Sequence, residues 1–398
     1  MIPIKNYVTE VLFNNKNEAP AILTYFDIYG YTEKDIHEYM MRIICKNPKL
    51  KQKIVKQNGS LYIDNIHDIM LEKYYEIIYT SESTFDNYIH ILLNTKFITE
   101  LQWYFKFYKD TITGKIRVYF KIDHAYADGY SIIKILTSGI DHQYNLPKIN
   151  RVTCIFDTLY YNIFGFILMC IITLRYFINS FTQTRDTHLF NNTSSTDFIK
   201  LNPISLAEIK NISQTHKITV NDFLYSLLIK ADALYNKENK LICTISSINI
   251  SGVSDMNNVC PLYLNIKNTY DNQMLFDKVH IMFDSCKYSY FIPVFASLIS
   301  IFVESIPTSV ISYFYNHCMN TCNYTYSNIV GPSLNKITNI HFLTTAHSRE
   351  VAYNIISHND NVNIILTFKE GVIKDKKRFE ECIYEAYNDL LKTNAHSS

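Results

Sequence analysis

The sequence predicts a mixed α/β (α+β) chain built as two domains, and three observations carry that prediction. Its 398 residues are enough for two domains of ordinary size. Segments with the 3.6-residue period of amphipathic helices alternate with segments of period two, the mark of strands. A polar stretch from Gln183 to Thr196, rich in Thr, Asn and Ser, interrupts the pattern and is the best candidate for a boundary.

In chain order, residues 1–150 are expected to form the first domain. An amphipathic helix is predicted from Thr32 to Lys46, strands around Trp103–Phe107 and Ile116–Ile122, and a helix from Tyr130 toward Thr137. Residues 151–199 hold an uncharged apolar segment, 158–174, bounded by Asp157 and Arg175, followed by the polar linker. That segment is at the lower edge of the ~20 residues, roughly 17 at minimum, that cross a bilayer. Insertion into one leaflet or a re-entrant contact ranks first, a buried helix between domains second, and a full span last. A span would put the two domains on opposite sides of the membrane. Residues 200–398 are expected to form the second domain, opening with a helix from Leu206 and another from Asn221. A second apolar stretch, from Phe291 through Ile311, is broken by Glu304 and two prolines and reads as core helices, with part of it a candidate lining for an internal tunnel.

Composition excludes several classes. Lys plus Arg (38) balance Asp plus Glu (37), a net charge of +1 that offers nothing to a polyanion, so no nucleic acid partner is expected. Tyrosine (32) and phenylalanine (24) are abundant while glycine (9) is scarce, a pattern of AT-rich coding bias, so the aromatic content is not counted toward lipid binding. Nine cysteines without paired C-x-x-C units read as reduced thiols facing the cytosol. His317 and Cys318 with Cys322 lack a second ligand pair, and no metal is expected. Serine-hydrolase, nucleotidase and dehydrogenase motifs are absent. The first residues lack the basic and apolar regions of a signal peptide.

Candidate chemistry centres on Lys121–Tyr130, where His124 and Asp128 stand in an H-x-x-x-D-G arrangement after the alternating run Ile116–Ile122. Acyl transfer from a thioester to an alcohol needs a base that takes the hydroxyl proton as the oxygen attacks, and neutral imidazole suits that task near pH 7. His124 would sit where the strand ends, Gly129 would permit the turn, and Asp128 would fix the loop that holds the ring. The bland alternative is a surface-turn histidine. Asn221 and Asp222 precede an apolar periodic run, which a helix cap explains by itself. Ser327 and Asn328 read equally as a strand-to-turn junction.

Around His124 the sequence resembles the wax ester synthase / acyl-CoA:diacylglycerol acyltransferase family, within the chloramphenicol-acetyltransferase-like superfamily. Asp123–Gly129 is similar to its H-H-x-x-x-D-G signature. Asn47–Val55 resembles an early basic element of the family, Leu101-Gln-Trp103 its P-L-W run, Ile218–Leu224 its T-V-N-D helix start, and Tyr326–Pro332 its S-N-x-x-G-P segment. The stretch from Tyr353 to Phe368 resembles its closing strand pair. The resemblance implies two similarly folded halves with the active site in a tunnel between them. His124 would be the base, Asp128 and Gly129 its loop, and Asp123, Asn221 and Asp222 supporting residues. Trp103, Ser327 and Asn328 would line the substrate path. Acyl-CoA would be a substrate rather than a cofactor, its partner a long-chain alcohol or diacylglycerol, and the setting the cytoplasmic face of a membrane or a lipid droplet.

Departures from the family pattern are specific. Asp123 replaces the first histidine of the doublet, and a carboxylate beside the base favours its charged form. The proline and arginine that usually flank the tryptophan are missing around Trp103, and Ile245–Ile250 lacks the usual arginine. These departures keep open a catalytically degenerate acyl-CoA or lipid-binding protein of the same fold. A membrane-anchored interaction protein and a small-alcohol acyltransferase are the other readings.

Overall fold

The computed structural model describes residues 2–3, 21–57, 60–97, 100–140, 163, 195–237, 241–249, 259–267, 271–288, 322–334, 336–345 and 351–393. The first half contains β1 (Ile2–Pro3), β2 (Ala21–Tyr29), α1 (Glu33–Lys46), β3 (Gln52–Gln57) and β4 (Ser60–Asn65). It continues with β5 (Tyr75–Thr80), α2 (Asn87–Asn94), β6 (Trp103–Asp110), β7 (Lys115–Asp123) and α3 (Gly129–Ser138). Helix α1 starts where expected because Thr32 and Asp35 form a capping box: Asp35 N donates to Thr32 Oγ1 at 3.2 Å and Thr32 N to Asp35 Oδ2 at 2.8 Å.

The second half comprises β8 (Thr196–Lys200), β9 (Ile204–Ser205), α4 (Leu206–Thr215), α5 (Val220–Asn236), β10 (Leu241–Asn249) and β11 (Val259–Lys267). After α6 (Asn272–Tyr288) come β12 (Tyr324–Val330), β13 (Thr338–Thr344), β14 (Val351–His358), β15 (Asn361–Lys369) and α7 (Lys376–Leu391). Its sheet runs β11-β10-β12-β14-β15-β8, with β9 paired to β15, and β12 lies parallel to both β10 and β14. Helices α4, α5, α6 and α7 cover it through a core that includes Phe223, Leu227, Phe276, Phe379 and Leu390.

Strand β13 leaves this sheet and pairs antiparallel with β2, completing a five-stranded sheet in the order β13-β2-β7-β6-β5. Sequence order and sheet membership therefore diverge. Residues 338–344 belong to the first sheet, and β8 joins the second sheet from Thr196, four positions before the expected start of that domain. A small sheet, β1-β4-β3, flanks the first half.

Period-two alternation in β7 predicts a half-buried strand, yet both of its faces are buried. One face, with Ile116, Val118, Phe120 and Ile122, packs into the core shared with α1 and α3. On the other, Arg117 (5% exposed), Lys121 (2%) and Asp123 (8%) are buried along with Tyr119, which packs with α2 and with Phe198 and Ile365 of the second half. Enclosure is tolerated because the two cations are matched. Arg117 donates from Nε to Asp27 Oδ1 at 2.6 Å and from Nη2 to Asp27 Oδ2 at 2.9 Å, and it also pairs with Asp86. Lys121 Nζ donates to the carbonyls of Leu92 (2.7 Å), Leu93 (3.1 Å) and Thr95, which close the C-terminal end of α2.

Apart from Ile163, the apolar segment 158–174 lies outside the described residues, as do 291–311, His317 and Cys318 and all but the last two residues of the linker. Cys322 is buried. No helix among the described residues is long and apolar enough to cross a membrane.

Candidate active site

The site grows from the end of β7. Asp123 is the last strand residue, paired with Ala21, and the next four residues turn the chain into α3. Asp123 Oδ1 accepts from Ala125 N at 2.8 Å and the Asp123 carbonyl accepts from Tyr126 N at 3.0 Å, so the turn is closed by the residue that begins it. Asp128 then caps α3, its Oδ1 accepting from Ser131 N at 2.8 Å. Asp128 Oδ2 is buried with no hydrogen-bond partner among the described residues. His124, half-buried, projects from a turn whose two ends are both held by aspartates. Burial pushes the Asp123 carboxyl up to about 6, with the Ala125 N–H pulling the other way.

Three separated segments meet at this turn. Tyr126 Oη donates to Ile54 N at 2.9 Å, Trp103 Nε1 donates to the Leu50 carbonyl at 2.9 Å, and Asp123 N donates to the Gln102 carbonyl at 2.9 Å. The Asn47–Val55 and Leu101–Trp103 segments thus form a scaffold behind the His124 loop. Trp103 is fully buried and stacked on Tyr74 at 4.8 Å between ring centroids. Its surroundings are those of a core residue, with Tyr74 and Phe105 packed on its ring.

The second half contributes the N-terminus of α5 and strand β12. Thr219, rather than Asn221 or Asp222, is the helix cap: Asp222 N donates to Thr219 Oγ1 at 3.1 Å and Thr219 N to Asp222 Oδ2 at 2.8 Å. This frees Asn221, whose Oδ1 accepts from Asn328 Nδ2 at 3.0 Å and from Tyr326 Oη at 3.1 Å. Asn221 and Asn328 are thus brought together. Ser327 is on the same strand, opposite Asn354 of β14 and half-buried. Asp222, 1% exposed, also accepts from His280 Nδ1 of α6 at 2.7 Å.

The two halves touch where β12 meets the start of α3. A Cβ at Gly129 would lie 2.2 Å from Ile329 Cδ1, and Ile329 and Ile356 share a core with Ala125, Tyr126 and Ala127. Gly331 fits as tightly: its N–H donates to the Ser357 carbonyl at 2.7 Å, and a Cβ there would lie 2.3 Å from that oxygen. Glycine in G-P is therefore required by close approach to backbone, whereas a Cβ in D-G would have to displace the end of the Ile329 side chain. Among the described residues no cluster of His, Cys, Asp or Glu is arranged to hold a metal ion.

Residues 258–391, which include Ile329, Gly331 and the closing strand pair, match the family model of the WS/DGAT C-terminal domain. The chain carries a WS/DGAT C-terminal domain. The family resemblance read from Tyr326–Pro332 and from Tyr353–Phe368 is borne out there. Comparison with curated proteins gives no match. Among solved structures, this chain is similar to the wax ester synthase/diacylglycerol acyltransferase from Marinobacter aquaeolei, with TM-score 0.60, 13% identity and 98% of each chain covered. It is also similar to the trichothecene 15-O-acetyltransferase TRI3 from Fusarium sporotrichioides, with TM-score 0.68, 10% identity and coverage of 99% of this chain and 94% of that one. A third is the SgcC5 protein from Streptomyces globisporus, with TM-score 0.58, 9% identity and coverage of 94% and 93%. At such identities the likeness concerns the fold, and the fold is the expected two-half, chloramphenicol-acetyltransferase-like one.

Sequence reasoning missed Tyr126, Tyr326 and His280. The two tyrosines stand inside motifs already singled out, so their hydroxyls were the available signal. His280 falls in no motif, and only the packing of α6 on α5 reveals it.

Proposed function

We propose that this chain is an O-acyltransferase that moves a fatty acyl group from acyl-CoA to a lipophilic alcohol, a long-chain alcohol or a diacylglycerol, to make wax ester or triacylglycerol. The observation that carries this reading is the junction at Gly129 and Ile329, where the His124 loop abuts the S-N-x-x-G-P strand of the WS/DGAT domain. In this reading acyl-CoA and the acceptor approach His124 from opposite ends of the line along which the two halves meet.

In this mechanism the acceptor hydroxyl gives its proton to His124 as its oxygen attacks the thioester carbonyl carbon. The C–O bond forms, the tetrahedral oxyanion collapses, the C–S bond breaks, and the departing thiolate takes the proton back from His124. No covalent acyl-enzyme arises. Asp128 and Asp123 hold the loop from its two ends. Asn221 holds Asn328 on the α5 face of β12, and Ser327 lies on the other face of that strand, the one that carries Ile329. The acceptor and the product are lipids, so the protein works at a membrane or lipid-droplet surface.

The test is product analysis with purified protein, labelled palmitoyl-CoA, and hexadecanol or diacylglycerol, run beside His124→Ala. General-base action contributes ~10² to 10⁴-fold, so the variant is expected to lose most turnover while keeping its fold. Normal turnover by His124→Ala sinks the reading. Asp123, standing where the family has a histidine, favours one second reading, a catalytically degenerate acyl-CoA or lipid-binding protein. It predicts tight acyl-CoA binding and no product from either protein.

A further inference from the structure

Asp222 is 1% exposed, and its Oδ2 already accepts the Thr219 N–H of the α5 capping box. A carboxylate so enclosed needs a compensating charge. His280 of α6 meets it, with Nδ1 at 2.7 Å from Asp222 Oδ2, while Nε2 lies 3.3 Å from Asp284 Oδ2 one turn further along the same helix. Both ring nitrogens thus face carboxylate oxygens, one on each helix. The His280 ring therefore links the first turn of α5 to α6. The residue next to Asp222 in that turn is Asn221, which accepts from Asn328 Nδ2 and Tyr326 Oη on β12. Strand β12 in turn places Ile329 against Gly129, at the start of the helix that follows His124.

Resting on the acyltransferase reading above, we infer that His280 is a positioning residue for the active site: clamped between Asp222 and Asp284, it sets the first turn of α5 and so the Asn221 side chain that holds Asn328 and Tyr326. His280 touches no substrate in this scheme. Its effect is on turnover and on the order of β12, rather than on acyl-CoA affinity.

The experiment compares His280→Phe, which cannot donate to Asp222, with His280→Gln, whose side-chain amide can, each alone and combined with Asn221→Ala. His280→Phe is expected to lower kcat about tenfold with the acyl-CoA KM changed by less than about twofold, and His280→Gln to retain most of the turnover. Because His280 acts through Asn221, adding His280→Phe to Asn221→Ala is expected to cost little more, a strong departure from additivity. Hydrogen exchange on the same proteins supplies a readout independent of catalysis: in His280→Phe the peptides 219–226 and 324–330 exchange faster while 21–29 is unchanged. Wild-type kcat in His280→Phe, losses that multiply with Asn221→Ala, or faster exchange confined to 219–226 each overturn the inference. Turnover retained by His124→Ala, or absent from the unmodified protein, overturns the acyltransferase reading instead, and the exchange pattern still decides the role of His280.

Discussion

Ile329 fills the space that a side chain on Gly129 would need, its Cδ1 lying 2.2 Å from the position of a Cβ there. The contact joins the helix that follows His124 to the strand that carries Ser327 and Asn328, so one van der Waals surface sets the spacing of the two halves at the junction. Gly129→Ala is expected to destabilise the protein by ~1–3 kcal/mol, the usual cost of overpacking. Ile329→Val, which removes the offending methyl, is expected to recover most of that loss in the same chain. Urea midpoints of the two single variants and the double variant check this, and additive losses would show that the contact is not the cause.

Asp123 gives a pH prediction. Burial holds its folded carboxyl up to about 6, above the ~3.9 of an unfolded aspartate, so between those values the folded chain binds a proton that the unfolded chain releases. Stability therefore falls as pH rises from about 4 to about 6, and above that window the native state carries the full cost of a buried carboxylate. Asn in its place keeps the acceptor for Ala125 N and removes the charge. Asp123→Asn is expected to match the wild type near pH 3.5 and to exceed it at pH 7 by on the order of 2–3 kcal/mol. Parallel curves across that range would refute the assignment.

Lys121 runs in the opposite direction. Burial lowers its ammonium to about 8, so from about 8 to about 10.4 the unfolded chain binds the extra proton and stability rises with pH. Lys121→Met abolishes that rise and leaves the carbonyls at the end of α2 without their donor. Denaturation midpoints at pH 7, 9 and 10 distinguish the two proteins. Hydrogen exchange in 87–95 is expected to speed up in the variant, because the Lys121 side chain holds the last turn of α2.

Arg117 neutralises Asp27, which is 1% exposed and also accepts from Lys115 and from Asn339 of β13. Arg117→Met removes the bidentate partner and leaves that carboxylate undercompensated, with an expected loss of ~3–5 kcal/mol. Arg117→Lys restores the charge without the fork and is expected to recover only part of the loss. Chemical denaturation of the three proteins is the measurement, and full recovery by lysine would show that charge alone matters.

Much of this was legible in the sequence because local chemistry is written locally. The helices expected from Thr32 and from Tyr130 and the strands expected around Trp103–Phe107 and Ile116–Ile122 start within a residue of the observed α1, α3, β6 and β7. The motif segments were also found, and hydrogen bonds and one glycine contact now tie them together. What stayed hidden depends on contacts between distant residues. The second buried face of β7 exists only because α2 and the other half cover it, and a lysine reads as exposed until the carbonyls of Leu92 and Leu93 are placed around it. Trp103 read as a substrate wall because its motif was recognised, while its enclosure by Tyr74 and Phe105 has no local signature. Asp222 read as a cap because Asn-Asp precedes an apolar run, and the true cap, Thr219, lies two residues earlier than Asn221.

The crossing of β13 bears on how the chain is made. A ribosome releases Ala21 to Asp123 more than two hundred residues before Thr338 to Thr344, the strand that closes the free edge of β2. Throughout that interval the nascent first half presents one unpaired edge of β2, an open template for the wrong partner. Truncating the gene before residue 338 should therefore give a product that associates through β2. Supplying the 338–344 segment in trans, or fused by a linker ahead of Ala21, should keep that product monomeric in sedimentation.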